Sequence, residues 1–209
     1  MSMPSPMKSY AVPGPHGWLW LFVSPVDYFK NYGGVVHPAL LIALVGLGSA
    51  LDQTETSALV STQATRIDNW TLLWSACLVS APIWGVLNYF VGGWWTRVRA
   101  SFCGDPDMPA KTARRVSITA STIFASATIV SFLAISFLFE RPADYFASEE
   151  FWISPLIFGV WSSYAQYVIV CDREKVRRGA ARFWFLGLPL GVFGLVAVGT
   201  IVYAFLGGN

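Results

Sequence analysis

The chain has 209 residues, of which 55% are hydrophobic and only 12% charged, with a mean hydropathy of +0.52. An ordinary soluble domain carries roughly 25% charged residues, so this composition argues against one. The net charge of +2 is small and dispersed, which argues against nucleic acid as the main partner.

In chain order, residues 1–17 carry Pro4, Pro6, Pro13 and Pro15 with no apolar period and read as an extended cytoplasmic arm. The apolar run 18–23 is shorter than the ~7–15 residues of a signal peptide core, so no cleavable signal is expected. Ser24-Pro25-Val26-Asp27 offers a cap, a first-turn proline and an acid at the positive helix end. These features predict an interfacial amphipathic helix within 18–34, stopped at Gly33-Gly34.

Five stretches lack Asp, Glu, Lys and Arg: 35–51, 70–91, 116–139, 151–170 and 183–206. At ~1.5 Å per helical residue they are long enough, or nearly so, to cross roughly 30 Å of hydrocarbon. The fold class expected is an all-α polytopic membrane protein, with one five-helix domain over 35–206 and a short tail at 207–209. Between the second and third stretches, Trp94, Val98 and Phe102 recur at helical spacing around Arg97 and Arg99, the pattern of a helix half-sunk at a membrane surface. Gly104-Asp105-Pro106 should break it, and Pro109 should precede a restart. In the fourth loop Glu174 lies four residues before Arg178, so helix is expected to continue out of the membrane. Pro82, Pro155 and Pro189 should kink their helices.

Basic residues set the topology, because short cytoplasmic loops concentrate Lys and Arg. Twelve of the fourteen fall in the N-terminal arm, the second loop and the fourth loop, leaving Arg66 and Arg141 on the other side. The orientation expected is N-terminus cytoplasmic and C-terminus extracytoplasmic. Trp70, Trp94, Trp95, Trp152 and Trp184 fall at span ends as an interfacial belt would place them, whereas Trp74, Trp84 and Trp161 lie deeper.

Small residues allow close helix approach in lipid. Gly187 and Gly191 form GxxxG, Gly46 with Ala50 and Ala81 with Gly85 are small-xxx-small pairs, and Ser117, Ser121 and Ala125 make a stripe on the Ser- and Thr-rich third span. That third span is the expected bundle interior. No span holds Asp, Glu, Lys or Arg, the groups a pump or intramembrane enzyme would need. Neither catalytic nor metal-ligating residues are expected, and no cofactor: His16 and His37 are isolated, and Cys77, Cys103 and Cys171 form no readable cluster. Asn88 and Gln166 are the strongest polar side chains in the spans and read as interhelical hydrogen-bonders. Arg97, Arg99, Arg114, Arg115, Arg173, Lys175, Arg177 and Arg178 are candidates for contact with anionic lipid or an acidic partner.

An aromatic segment with Pro25 and Tyr28-Phe29 precedes the spans, Gly92-Gly93 leads into a basic loop, and Trp161 and Gly179-Ala180-Ala181 follow around the fourth loop. This layout resembles the Yip1-domain family over roughly residues 18–206, in its bacterial branch. The Asp-Leu-x-Gly-Pro and Gly-Tyr motifs of the eukaryotic branch have no counterpart. The resemblance implies a non-catalytic integral membrane adaptor, multi-pass in a bacterial inner membrane. The expected function is an adaptor or scaffold binding membrane lipids and other membrane proteins through its cytoplasmic loops and helix faces. The alternatives are an accessory subunit of a larger complex, and a small-molecule or lipid transporter with a neutral polar path.

Overall fold

A computed structural model describes residues 15–32, 38–60, 69–147 and 153–207. The arm through residue 14, His37, Arg66, Asp68, Glu149, Glu150, the start of the fourth stretch at 151–152 and residues 208–209 lie outside the described residues. The described residues are mostly helical, with short turns at 103–109, 139–141 and 172–177 and no strand among them. The helices are α1 Pro15–Val23, α2 Pro25–Tyr32, α3 Pro38–Val60, α4 Trp70–Leu87, α5 Gly93–Phe102, α6 Ala110–Leu138, α7 Pro142–Ala147, α8 Ile153–Cys171, α9 Arg178–Ala181 and α10 Leu188–Gly207.

Two of these helical rods are long and apolar enough to cross a membrane, Trp70–Phe102 and Ala110–Leu138. The first joins α4 to α5 through a π-helical turn at Asn88–Gly92, so the basic segment after residue 91 extends the same rod. Asn88 Nδ2 donates to the Trp84 carbonyl and to Ser49 Oγ, both at 3.0 Å, so the π turn's polar side chain also ties the rod to α3. A second π turn, Arg182–Gly187, immediately precedes Pro189, whose missing N–H leaves the ladder short of a donor there.

Helix α6 is the hub of the bundle. Its buried residues Ser117, Ile118, Thr119, Thr122, Ile123, Ala125, Thr128 and Phe132 face neighbours on several sides, and Thr122 and Thr128 return their hydroxyl protons to the carbonyls four residues back. Helix α3 packs on α4 with almost no side chain between them. A Cβ on Gly46 would stand 2.0 Å from the Ala81 carbonyl oxygen, and one on Gly85 would stand 2.2 Å from that of Ile42. Ala50 continues the seam against Leu73 and Cys77. The α3–α6 contact is equally close, since a Cβ on Gly48 would meet Ala125 at 2.5 Å.

The deep tryptophans have structural partners. Trp74 Nε1 donates to Ser136 Oγ at 3.1 Å, and Trp161 Nε1 to the Phe22 carbonyl at 3.1 Å, near the end of α1 where intrahelical donors run out. Trp84 packs with the cluster around Phe132. At the end of α6, Trp70 Nε1 likewise reaches the Phe139 carbonyl at 2.8 Å.

Several expectations are corrected. Within 18–34 the described part, through Tyr32, is two helices broken at Ser24, the first of which begins back at Pro15. Leu21 and Tyr28 are buried in the bundle against Ala120, Ile123 and Ala165. Leu19, Trp20 and Val23 on the first helix stay exposed. Glu174 and Arg178 are not a helical pair, because α8 stops at Cys171 and α9 starts only at Arg178. The Gly187/Gly191 pair seats no neighbouring helix among the described residues: a Cβ on Gly187 meets only its own helical turn, and one on Gly191 meets nothing within 4 Å. Helix α10 instead meets α8 through the Phe193 ring, set 3.1 Å from a Cβ position on Gly159.

Candidate functional site

One end of the bundle gathers the second loop, the fourth loop and the end of α2 into a folded unit. Ala100, Cys103, Met108 and Ala113 from the second-loop side pack with Ile169, Val170, Val176, Ala181 and Phe185 from the fourth. Phe102 stacks on Trp184 with ring centroids 4.7 Å apart. The turn after α5 needs glycine: Gly104 has φ of +105°, a left-handed conformation that a Cβ strains. A Cβ there would also stand 3.1 Å from the Lys175 carbonyl oxygen.

Polar contacts close the same joint. The Arg177 N–H donates to the Cys103 carbonyl at 2.8 Å. Arg173 pairs with Asp105, whose side chain is 1% exposed, and Lys30 on α2 pairs with Asp172 at 2.8 Å. Burial pushes the Cys103 thiol above its ordinary range, with the neighbouring Cys171 adding to the rise and Arg99 and Arg177 opposing it. Cys103 is thus a packed thiol here, weak as a nucleophile.

The candidate cations divide into four kinds. Arg97, Arg177 and Arg178 are exposed, as are Lys111 and Arg182. Lys175 is exposed too and stands 3.4 Å from the equally exposed Asp107. Arg114 and Arg115 are half-buried, with the Arg114 guanidinium 4.5 Å from the Phe90 ring centre and its stem closing on Gly93. Arg173 is taken up by Asp105.

Arg99 is a correction, because it is not on the surface. It is 6% exposed, donates Nη2 to Gln166 Oε1 at 2.6 Å and Nη1 to the Trp184 carbonyl at 3.5 Å, and lies 4.4 Å over the Phe185 ring. Gln166 in turn donates Nε2 to Thr96 Oγ1 at 2.9 Å. A charged group is therefore buried where the sequence reading expected none. Its partner Gln166 makes an interhelical hydrogen bond, as does Asn88. The overlooked signal is the spacing of Thr96, Arg99, Ala100 and Cys103, which puts small and polar residues on one helix face.

Of the small residues, Gly46, Ala50, Ala81, Gly85, Ser117 and Ala125 lie in the packed interior, and Ser121 is half-buried. Gly92 and Gly93, read only as a loop marker, are close-contact positions: a Cβ would meet Ser117 Oγ at 2.6 Å and Arg114 Cγ at 2.3 Å respectively. Among the described residues no group of three or more His, Cys, Asp or Glu is placed to hold a metal ion. Comparison with protein families, characterised proteins and solved structures returns no match.

Proposed function

We propose that the chain is a five-span integral membrane adaptor without catalytic activity, its N-terminus and basic end in the cytoplasm and its C-terminus outside. The observation that carries this reading is the preassembled platform. Hydrogen bonds, ion pairs and a shared apolar cluster lock the two basic loops together, while Arg97, Arg177, Arg178 and Arg182 remain outside that network or at its edge. Loops serving topology alone need charge but no common core. A folded platform that presents exposed guanidinium groups suits acidic surfaces, since the backbone of the two loops needs no ordering on binding. The spans are supported by the two long apolar rods and by outward apolar side chains along the other helices, among them Leu40, Ile157, Leu190 and Leu195. The layout shared with the Yip1-domain family fits the same reading.

The test is extraction from the native membrane in a mild detergent, with the companions identified by mass spectrometry. Stoichiometric protein companions are expected with the wild-type chain and should be lost from Arg97→Gln/Arg177→Gln/Arg178→Gln. A clean 23.0 kDa species from the wild type would overturn the adaptor reading.

A further inference from the structure

The seam between α3 and α4 opens, on a side that no other described helix lines, into an apolar groove of about 520 Å³. It runs from Ala39 to Leu47 on α3 and, antiparallel to it, from Val86 back to Leu78 on α4. At ~1.5 Å per residue that is about 12 Å, close to half of a hydrocarbon core roughly 30 Å thick. The groove therefore belongs to one leaflet. That leaflet is the one at the basic end, where α3 begins at Pro38 and α4 passes into the π turn at Asn88–Gly92. Its volume lies within the roughly 300–1,000 Å³ of ligand sites. Its walls, Leu40, Leu44, Pro82 and Val86 among them, offer no side-chain donor or acceptor.

A cation stands at the mouth. Phe90 follows Val86 by four residues on the same rod, and the Arg114 guanidinium lies 4.5 Å from its ring centre and 5.8 Å from that of Tyr89. The two rings hold the guanidinium through their faces, but among the described residues no carboxylate pairs with it. Residues 1–14 and 33–37, outside the described part at this end of the sequence's first span, contain no acid. Asp68 directly precedes the start of the rod at Trp70, about 30 Å from Phe90 at ~1.5 Å per residue. Glu149 and Glu150 follow α7, whose Tyr145 packs in the cluster that includes Trp70. Lys111, exposed, lies three residues before Arg114 on the same face of α6.

An apolar groove one leaflet long, with a guanidinium that lacks a counter-charge at its mouth, matches a single amphiphile. Planar N–H donors take phosphate oxygens well, and the groove takes the tail. We propose that the groove holds one acyl chain of an anionic phospholipid, its phosphate on Arg114 and the rest of its headgroup beside Lys111. The site rests on α3 and α4 lying in the membrane and is independent of the adaptor role.

Native mass spectrometry of the full chain in detergent micelles, titrated with phosphatidylglycerol and with phosphatidylcholine of the same acyl chains, reads the affinity for the first lipid bound. Phosphatidylglycerol should bind at least about fivefold more tightly, the factor that one cation at a lipid surface supplies. Arg114→Gln should abolish the preference, and Arg114→Lys should keep most of it. Ala43→Trp, which fills the groove from its wall, should weaken the binding of both lipids. A preference that survives Arg114→Gln, or wild-type binding by Ala43→Trp, would overturn the proposal. Equal affinity of the wild type for the two lipids overturns it and leaves the spans standing, whereas uptake of neither lipid overturns the spans as well. In the native membrane, light-activated cross-linking from Leu44→p-benzoylphenylalanine should add the mass of one phospholipid. This arm leaves Arg114 in place, so it decides even where Arg114→Gln does not fold: a cross-link to a second copy or another protein, or none to lipid, overturns the site.

Discussion

Removing either partner of the Arg99–Gln166 pair should destabilise the bundle, and removing both should cost far less than the sum. Among the described residues Arg99 has no carboxylate partner: its hydrogen bonds are the 2.6 Å bond to Gln166 and the longer one to the Trp184 carbonyl. Gln166→Leu strips away the short, charge-assisted bond and leaves a guanidinium 6% exposed, a loss of about 3 kcal/mol. Arg99→Met leaves Gln166 Oε1 without its donor and keeps the Thr96 contact, a loss of about 2 kcal/mol. In the double variant neither group is stranded and apolar side chains fill the space, so the total should stay near about 2–3 kcal/mol. The coupling is then about 2 kcal/mol or more. Reversible unfolding in mixed micelles by detergent titration measures all four corners of the cycle. Single losses below about 0.5 kcal/mol that simply add would refute the burial of Arg99 and its place in the joint between α5 and α8.

Gly85→Ala should destabilise by about 1–3 kcal/mol, because the new methyl lands 2.2 Å from the Ile42 carbonyl oxygen and the α3–α4 seam must open. Gly191→Ala, with nothing within 4 Å, should be neutral or stabilise by up to about 1 kcal/mol through helix propensity; paired melting curves compare the two. Gly104→Ala should cost about 1–2 kcal/mol from its left-handed backbone alone, again read by melting. Cys103, buried and held above its ordinary titration range, should resist maleimide at neutral pH in the folded protein and react on denaturation, as peptide mapping by mass spectrometry would show.

The sequence carried the helices well and their junctions poorly. Charge-free runs located α3, α4, α6, α8 and α10 because a long apolar helix needs no cooperation from distant residues. The Ser- and Thr-rich α6 was legible as interior for a similar reason: its hydroxyls return protons to their own backbone and let neighbours approach. What decides the platform is long-range. Only the helical spacing of Thr96, Arg99, Ala100 and Cys103 separates Arg99, turned inward onto Gln166, from Arg97 two residues earlier, which is exposed; the partner itself comes from a distant helix. The glycine pairs make the same point. Gly46 and Gly85 meet each other's helices, whereas Gly187 and Gly191 share the spacing and face no helix among the described residues. Glu55 lies just past the charge-free run 35–51, where nothing local marks it for burial. Its burial comes from α3 continuing to Val60 and from Tyr145 reaching it across ninety positions of chain.

Everything assigned to the basic end depends on its facing the cytoplasm. Arg178→Cys and Asn209→Cys, each introduced singly into a Cys171→Ala background, report the two sides of the membrane, since Cys77 and Cys103 are buried. With a membrane-impermeant maleimide on intact cells, the thiol at 209 should label at once and that at 178 only after permeabilisation. Labelling of 178 in intact cells, or both positions behaving alike, would contradict the five-span arrangement and the platform's role with it.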